Sequence, residues 1–294
     1  METQSPGPLI TTHSLAKLLE RPTTNMTLKI LDASWHNPIK NRDARAEYKQ
    51  KHIAGAAFFD TNECCDKSSP YTVMLPSAKQ FEEYVGQLGI DNSSHVVVYD
   101  TYQGLRMAPR AWWMFRIFGH ERISVLEGGL TKWISDGYPI TNKTYEITEK
   151  NFTATYNPSL KVDFEEIYAT MKSGSTHHVI DSRPVDWFNG MDYPEDEIEW
   201  KSWHIPGSVN IPWYDFVDDD GCSMKSKDEI IKMFKQNNIS LHTDPIKSTC
   251  RRGIYACAVA LAAFVAGRKD IPVYDGSWEE FSQRAKKEEY MTDN

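Results

Sequence analysis

The stretch of this sequence best equipped for chemistry is Ser248-Thr249-Cys250-Arg251-Arg252-Gly253-Ile254-Tyr255-Ala256. A cysteine at the end of an expected strand, followed by a short Gly-containing loop and an Ala-rich helix, stands where α/β sheets place ligands, beyond the carboxyl ends of their strands. Backbone N–H groups of such a loop and of the helix start converge on an anion. The thiolate is the reactive form of a cysteine, and an ordinary thiol, with a pKa of about 8.5, is only a few per cent ionised near neutrality. A helix N-terminus contributes about 0.3–1 kcal/mol, too little to ionise it alone. Arg251 and Arg252 can supply the remaining positive charge, and the same charge would favour a persulfide anion on this sulfur. Gly253 lets the loop turn, while Ile254 and Tyr255 position it against the helix. A plain core cysteine is the competing reading, but burying two unpaired guanidinium groups beside it would be very costly.

The other candidates carry less. Cysteine phosphatases close a C-x5-R loop with an arginine, and here that place holds Ala256. Cys257, inside the Ala-rich helix, reads as core. Cys64 and Cys65 are adjacent with no cation to activate them, and Cys222 reads as a bystander. No C-x-x-C or C-x-x-H spacing exists, so no metal or other cofactor is expected. The acidic run Asp218-Asp219-Asp220-Gly221 lacks the later ligands of a calcium loop. Asp181-Ser182-Arg183 closes another expected strand, followed by Trp187. Asp181 is expected to fix loop geometry; Arg183 either lines a substrate site or pairs with a nearby acid; Trp187 either lines the cleft mouth or packs.

An internal repeat implies the scaffold that carries these residues. At an offset of about 150 residues, Ile30-Leu31-Asp32-Ala33-Ser34 resembles Val179-Ile180-Asp181-Ser182-Arg183, and His52-Ile53-Ala54-Gly55-Ala56 resembles His204-Ile205-Pro206-Gly207-Ser208. Val96-Val97-Val98-Tyr99-Asp100 then matches Ile246-Lys247-Ser248-Thr249-Cys250, and Leu126-Glu127-Gly128-Gly129 matches Tyr274-Asp275-Gly276-Ser277-Trp278. Each half alternates short β-branched runs with amphipathic stretches such as Ser77 to Leu88, which implies a mainly parallel sheet with helices on both faces. The expected division is a first α/β domain at 1–145, a polar linker at 146–157 and a second α/β domain at 158–294. Gly190 to Trp203, rich in acids, is expected as an exposed loop. The strand leading to Cys250 is unusually polar, with Lys247 and Ser248 where apolar residues are the rule.

Bulk properties narrow the class. A length of 294 residues suggests two domains, and 40% hydrophobic with 25% charged residues is ordinary globular composition. A net charge of -8 disfavours a broad nucleic-acid footprint. The longest apolar run, Ala256 to Gly267, is about a dozen residues, short of the roughly 18 a membrane span needs, so no membrane partner is expected. Met1 to Pro8 has neither the basic nor the apolar region of an export signal, and five cysteines without an even framework fit a reducing compartment. The cytoplasm is therefore expected, with the mitochondrial matrix open.

Across nearly its whole length the sequence resembles the tandem-domain sulfurtransferases of the rhodanese superfamily. The resemblance rests on Phe58-Phe59-Asp60, Ser69-Pro70-Tyr71 with Met74-Leu75-Pro76, Ala108-Pro109-Arg110-Ala111-Trp112-Trp113-Met114-Phe115, Gly128-Gly129 with Trp133, His204-Ile205-Pro206-Gly207-Ser208-Val209-Asn210 and the Cys250 loop. It implies two rhodanese-like domains, of which the first has lost its cysteine: Asp100 stands at the matching position and cannot hold a sulfane sulfur. It further implies that Cys250 takes sulfur from a small-molecule donor as a persulfide and passes it to a nucleophilic acceptor, cyanide or a thiol, with thioredoxin among the candidates. Double displacement of this kind gives ping-pong kinetics. In the loop, thiosulfate-type members resemble C-R-K-G and mercaptopyruvate-type members C-G-S-G; Cys250-Arg251-Arg252-Gly253 is similar to the first, so Arg251, Arg252 and Gly253 are expected to bind thiosulfate. One departure is that Trp187 occupies the place where the family usually carries a second arginine. 3-Mercaptopyruvate as donor, or a non-catalytic persulfide carrier, are the alternatives.

Overall fold

The computed structural model describes residues 7–20, 27–37, 41–102, 105–174, 178–191 and 203–290. The chain divides into two compact units. The first comprises residues 1–67, 75–157 and 218–224, and the second 68–74, 158–217 and 225–294.

In the first unit the elements run β1 (Leu9–Ile10), α1 (Thr12–Glu20), β2 (Leu28–Asp32), α2 (Ala44–Gln50), β3 (His52–Ile53), β4 (Ala56–Phe58), α3 (Ala78–Gln87), β5 (His95–Tyr99), α4 (Ala108–Ile117), β6 (Ile123–Leu126), α5 (Gly129–Ser135) and β7 (Ile140–Thr141). Five strands form a parallel sheet in the order β1-β6-β5-β2-β4, and β3 pairs antiparallel with β7. Side chains alternate across the pleat. Ile30, Val97, Tyr99 and Leu126 pack with α1, α2 and α5 through Leu15, Tyr48, Leu130 and Trp133. Val96 and Val98 are also buried, as are Phe81 and Val85 of α3 and the whole apolar surface of α4. This two-sided burial explains why β5 is an uninterrupted apolar run after His95. Residues 146–157, expected as the linker, lie within this unit: the N–H groups of Lys150, Thr155 and Asn157 donate to the carbonyls of Gly86, Phe118 and Ile117 at 3.0, 2.9 and 2.7 Å. Phe152 joins an aromatic cluster with Phe81, Phe115 and His120.

The second unit runs β8 (Lys161–Val162), α6 (Phe164–Lys172), β9 (His178–Asp181), α7 (Val185–Phe188), β10 (Val209–Asn210), α8 (Lys227–Gln236), β11 (Ile246–Thr249), α9 (Ala256–Val265), β12 (Val273–Tyr274), α10 (Ser277–Arg284) and α11 (Lys287–Tyr290). Its parallel sheet, β8-β12-β11-β9-β10, repeats the order of the first sheet strand for strand. Smaller features repeat as well. Ser77 and Ser226 both close capping boxes, with Gln80 and Glu229, at the starts of α3 and α8. Gly55 and Gly207 share a left-handed turn at φ +80° and +78°. Helix α9 is buried from Ala256 through Ala263, which is why its sequence has no polar stripe. Of the acidic loop expected at Gly190 to Trp203, residues 192–202 lie outside the described residues.

The polar strand before Cys250 has a physical account. Lys247 is 5% exposed, and its Nζ lies 2.8 Å from both Thr170 Oγ1 and Glu166 Oε1 on α6, so its charge is paired where it is buried. Ser248 Oγ donates to the Pro272 carbonyl at 3.2 Å. Helix α6 thus covers β11 with hydrogen-bonding groups as well as apolar ones.

Candidate active site

Cys250 follows the central strand β11 directly, and the loop it opens is held from the side by the start of α10. Strand β12 pairs with β11 through Ser248 and Val273, which brings Asp275 to Glu279 against residues 250–253. The N–H of Trp278 donates to the Cys250 carbonyl at 3.1 Å and that of Glu279 to the Arg251 carbonyl at 2.9 Å. Ser277 Oγ accepts the N–H groups of Cys250 and Gly253, at 3.1 and 3.0 Å, and directs its own hydrogen at the Tyr274 carbonyl, 2.7 Å away. Cys250 Sγ lies 3.9 Å from the same hydroxyl. Gly253 is required twice over: its φ is +68°, and a Cβ would sit 2.4 Å from the Asp275 carbonyl oxygen.

The thiol is enclosed. Cys250 is 1% exposed and Arg251 only 4%, so this guanidinium turns into the fold, where it lies over the half-buried Trp187 ring at 5.8 Å. Low solvent access strengthens whatever charge acts on the sulfur. Arg252 is partly exposed, and its Nε lies 3.5 Å from Glu279 Oε2, an ion-pair separation longer than a hydrogen bond. Ile254 is buried, Tyr255 stands beside the Trp213 ring at 5.7 Å, and Cys257 Sγ meets the Gly253 carbonyl inside α9. Ala256, the first residue of α9, is fully buried and offers no clamp to a phosphate.

Arg183 pairs with the acid at its own strand end. It is fully buried and its Nε reaches both Asp181 oxygens at 3.0 Å, with Nη2 at 2.7 Å from Oδ2 and 3.0 Å from the Trp203 carbonyl. Its guanidinium also faces the Trp278 ring at 5.3 Å. A guanidinium forked onto a buried carboxylate two residues away helps hold the end of β9. Asp181 also accepts the Arg183 N–H at 3.0 Å. Cys64 and Cys65 are buried, and burial pushes the Cys64 thiol far above its ordinary range, away from reactivity.

Two residues of this site were not anticipated, Ser277 and Glu279. For Ser277 a signal existed: the repeat aligns it with Gly129. Both adopt a left-handed backbone, φ +51° and +54°, but only the glycine does so without strain. The first unit also shows what the loop does when its anion is built in. Asp100 is fully buried, and its carboxylate accepts the N–H groups of Tyr102, Met107 and Ala108 at 2.7, 2.7 and 2.8 Å, filling the start of α4.

Residues 11–136 and 163–284 each match the rhodanese-like domain model. The chain is 42% identical over 287 residues to human 3-mercaptopyruvate sulfurtransferase, covering 97% of this chain and 95% of that protein. It is 43% identical over 285 residues to thiosulfate sulfurtransferase of Bos taurus, with the same shares covered. Its fold is similar to the crystal structure of SseA from Escherichia coli, described as a 3-mercaptopyruvate sulfotransferase, with TM-score 0.81, 32% identity, and 93% of this chain and 99% of that one covered. Among the described residues no helix is long and apolar enough to cross a membrane.

Proposed function

The chain belongs to the rhodanese-like family and is a sulfurtransferase with tandem domains, and from that premise we propose that its sulfur donor is thiosulfate and its sulfur carrier Cys250. The observation that carries the donor assignment is the pair of adjacent arginines beside the sulfur, one of them buried, because a dianion needs more compensating charge than a monoanion. The Cys250 thiolate attacks the outer sulfur of thiosulfate; the S–S bond breaks with its electron pair leaving on sulfite, and a cysteine persulfide anion remains. A nucleophile, cyanide or a thiolate, then attacks the outer persulfide sulfur, the second S–S bond breaks, and the Cys250 thiolate returns. Arg251 and the loop N–H groups that Ser277 does not take up stabilise the anion between the two steps, while Arg252 and Trp187 line the approach of the donor. We assign no sulfur to the first unit, whose equivalent cradle is filled by the Asp100 carboxylate.

A second donor, 3-mercaptopyruvate, is favoured by a specific observation: Trp187 stands where a further cation would help a dianion, and Arg183 is paired with Asp181. Initial rates with both donors decide between them. Sulfite release outrunning pyruvate release supports thiosulfate; the reverse order overturns it. Intact-mass measurement after donor treatment separates both from a non-catalytic protein: the chain gains one sulfur and Cys250→Ser gains none, whereas a chain that gains none from either donor would contradict the role of Cys250.

A further inference from the structure

Helix α10 begins with two adjacent glutamates that are treated differently by the fold. Glu280 is spent on Arg284, whose Nη1 lies 2.6 Å away. Glu279, 4% exposed, instead faces the cysteine loop: Oε2 lies 3.5 Å from Arg252 Nε, and its backbone N–H donates to the Arg251 carbonyl at 2.9 Å. Its carboxylate is held in place from the other side by Thr72, whose N–H and hydroxyl donate to it at 3.3 and 2.5 Å. Thr72 belongs to the 68–74 segment that is part of the same compact unit.

The pairing has two consequences of opposite sign. A carboxylate at this place compensates the partial burial of Arg252, so that a second cation can be kept beside the sulfur. It also offsets part of that cation's field at an approaching donor. An opposing charge at this place costs a dianion about twice what it costs a monoanion, so Glu279 weakens, without abolishing, the match of the loop to thiosulfate.

We propose that Glu279 is a positioning and specificity-determining residue: by pairing with Arg252 it restrains the affinity of the loop for dianionic donors. The inference rests on the assignment of Arg252 to donor binding. Thiosulfate is a dianion, whereas 3-mercaptopyruvate carries one permanent carboxylate, so the two donors respond unequally to the removal of this charge. Sulfite, a dianion in its deprotonated form, should follow thiosulfate.

The test is steady-state sulfur transfer from thiosulfate and from 3-mercaptopyruvate, with cyanide as acceptor, at one near-neutral pH. Four variants are compared with the unmodified protein: Glu279→Gln, Glu279→Asp, Arg252→Ala and the double variant Arg252→Ala plus Glu279→Gln. Glu279→Gln should lower the KM for thiosulfate by about tenfold and tighten product inhibition by sulfite in parallel, with kcat within about twofold and the KM for 3-mercaptopyruvate changed by less than about threefold. Glu279→Asp keeps the charge and should behave as the unmodified protein. In the Arg252→Ala background the effect of Glu279→Gln should vanish. An equal change for both donors, the same change with and without Arg252, or a loss in Glu279→Asp as large as in Glu279→Gln would overturn the proposal. If Arg252→Ala leaves the thiosulfate KM unchanged, the donor-binding role of Arg252 fails and the role of Glu279 falls with it; if Arg252→Ala raises that KM while Glu279→Gln does nothing, only the role of Glu279 fails.

Discussion

Ser277 Oγ accepts the backbone N–H of Cys250 at 3.1 Å, from a residue held at φ +51°. A side chain other than glycine in that backbone region costs about 1 kcal/mol or more, and the same hydroxyl also satisfies the Gly253 N–H. The strain is thus exchanged for a fixed geometry of the cysteine loop.

Two substitutions separate strain from hydrogen bonding. Ser277→Ala keeps the strained backbone and leaves two buried N–H groups unsatisfied, so it should destabilise the protein by about 2–4 kcal/mol. Ser277→Gly loses the same acceptor but relaxes the backbone, and should be about 1 kcal/mol more stable than Ser277→Ala. Denaturant unfolding of the three proteins checks this. Both variants should transfer sulfur about tenfold or more slowly, because the anion cradle loses its fixed wall; a Ser277→Gly variant with full activity would show that the hydroxyl does not position the loop.

The arginines should control the reactivity of the thiol. Arg251→Ala plus Arg252→Ala removes the adjacent positive charge, and the rate of Cys250 alkylation by iodoacetamide near neutral pH should fall by about tenfold. High salt should imitate only a small part of this loss, since Arg251 is buried and poorly screened. Unchanged alkylation would refute the electrostatic role of the pair.

Asp100 should matter to folding and not to turnover. Asp100→Ala leaves the N–H groups of Tyr102, Met107 and Ala108 without their acceptor, a cost of about 3 kcal/mol or more. The folded fraction of that variant should nevertheless form the Cys250 persulfide stoichiometrically, measured by intact mass. Failure of persulfide formation in folded Asp100→Ala would give the first unit a part in the chemistry.

Two buried groups of the first unit oppose each other below neutrality. Burial pushes the Asp32 carboxyl up to about 6, so the stability it contributes is complete below the ordinary value of 3.8 and is lost as pH rises through about 6. Burial pushes the His95 ring down to about 4, with the charges of His120 and Arg122 adding to the effect; its contribution is complete above 6.5 and is lost as pH falls through about 4. Between pH 4 and 6 the two terms run in opposite directions. Asp32→Asn should therefore expose a steeper acid loss of stability, and His95→Gln should reverse the slope, each by about 2–3 kcal/mol across the window. Thermal unfolding from pH 4 to 7 measures both, and parallel curves for the three proteins would exclude these groups as the source.

Asp32 also shows how a repeat diverges. It occupies the strand-end position of Asp181, but Ser34 stands where the second half has Arg183. Asp32 accepts the Ser34 N–H at 2.9 Å, and burial holds its carboxyl above the ordinary range; the Asp181 carboxylate accepts from the Arg183 guanidinium. The aligned sequence displayed this exchange, but not whether Arg183 would turn toward the cysteine or back on its own strand.

Much was legible without coordinates because it is local or repeated. Alternating apolar runs and amphipathic stretches specify parallel strands with helices, the duplication specifies that this happens twice, and the spacing of Cys250, Arg251, Arg252 and Gly253 puts two cations on the loop that follows a strand. What tertiary structure alone decided are the partners that chain order keeps apart. Ser277 and Glu279 are two dozen residues or more from the cysteine loop, and they reach it because β12 docks beside β11 and delivers the start of α10 there. Lys247 likewise finds Glu166 and Thr170 only when α6 covers the sheet. A strand pattern reports that a residue is buried; which donor or charge is buried beside it depends on how the sheet is assembled, and that assembly decides which groups meet the cysteine loop.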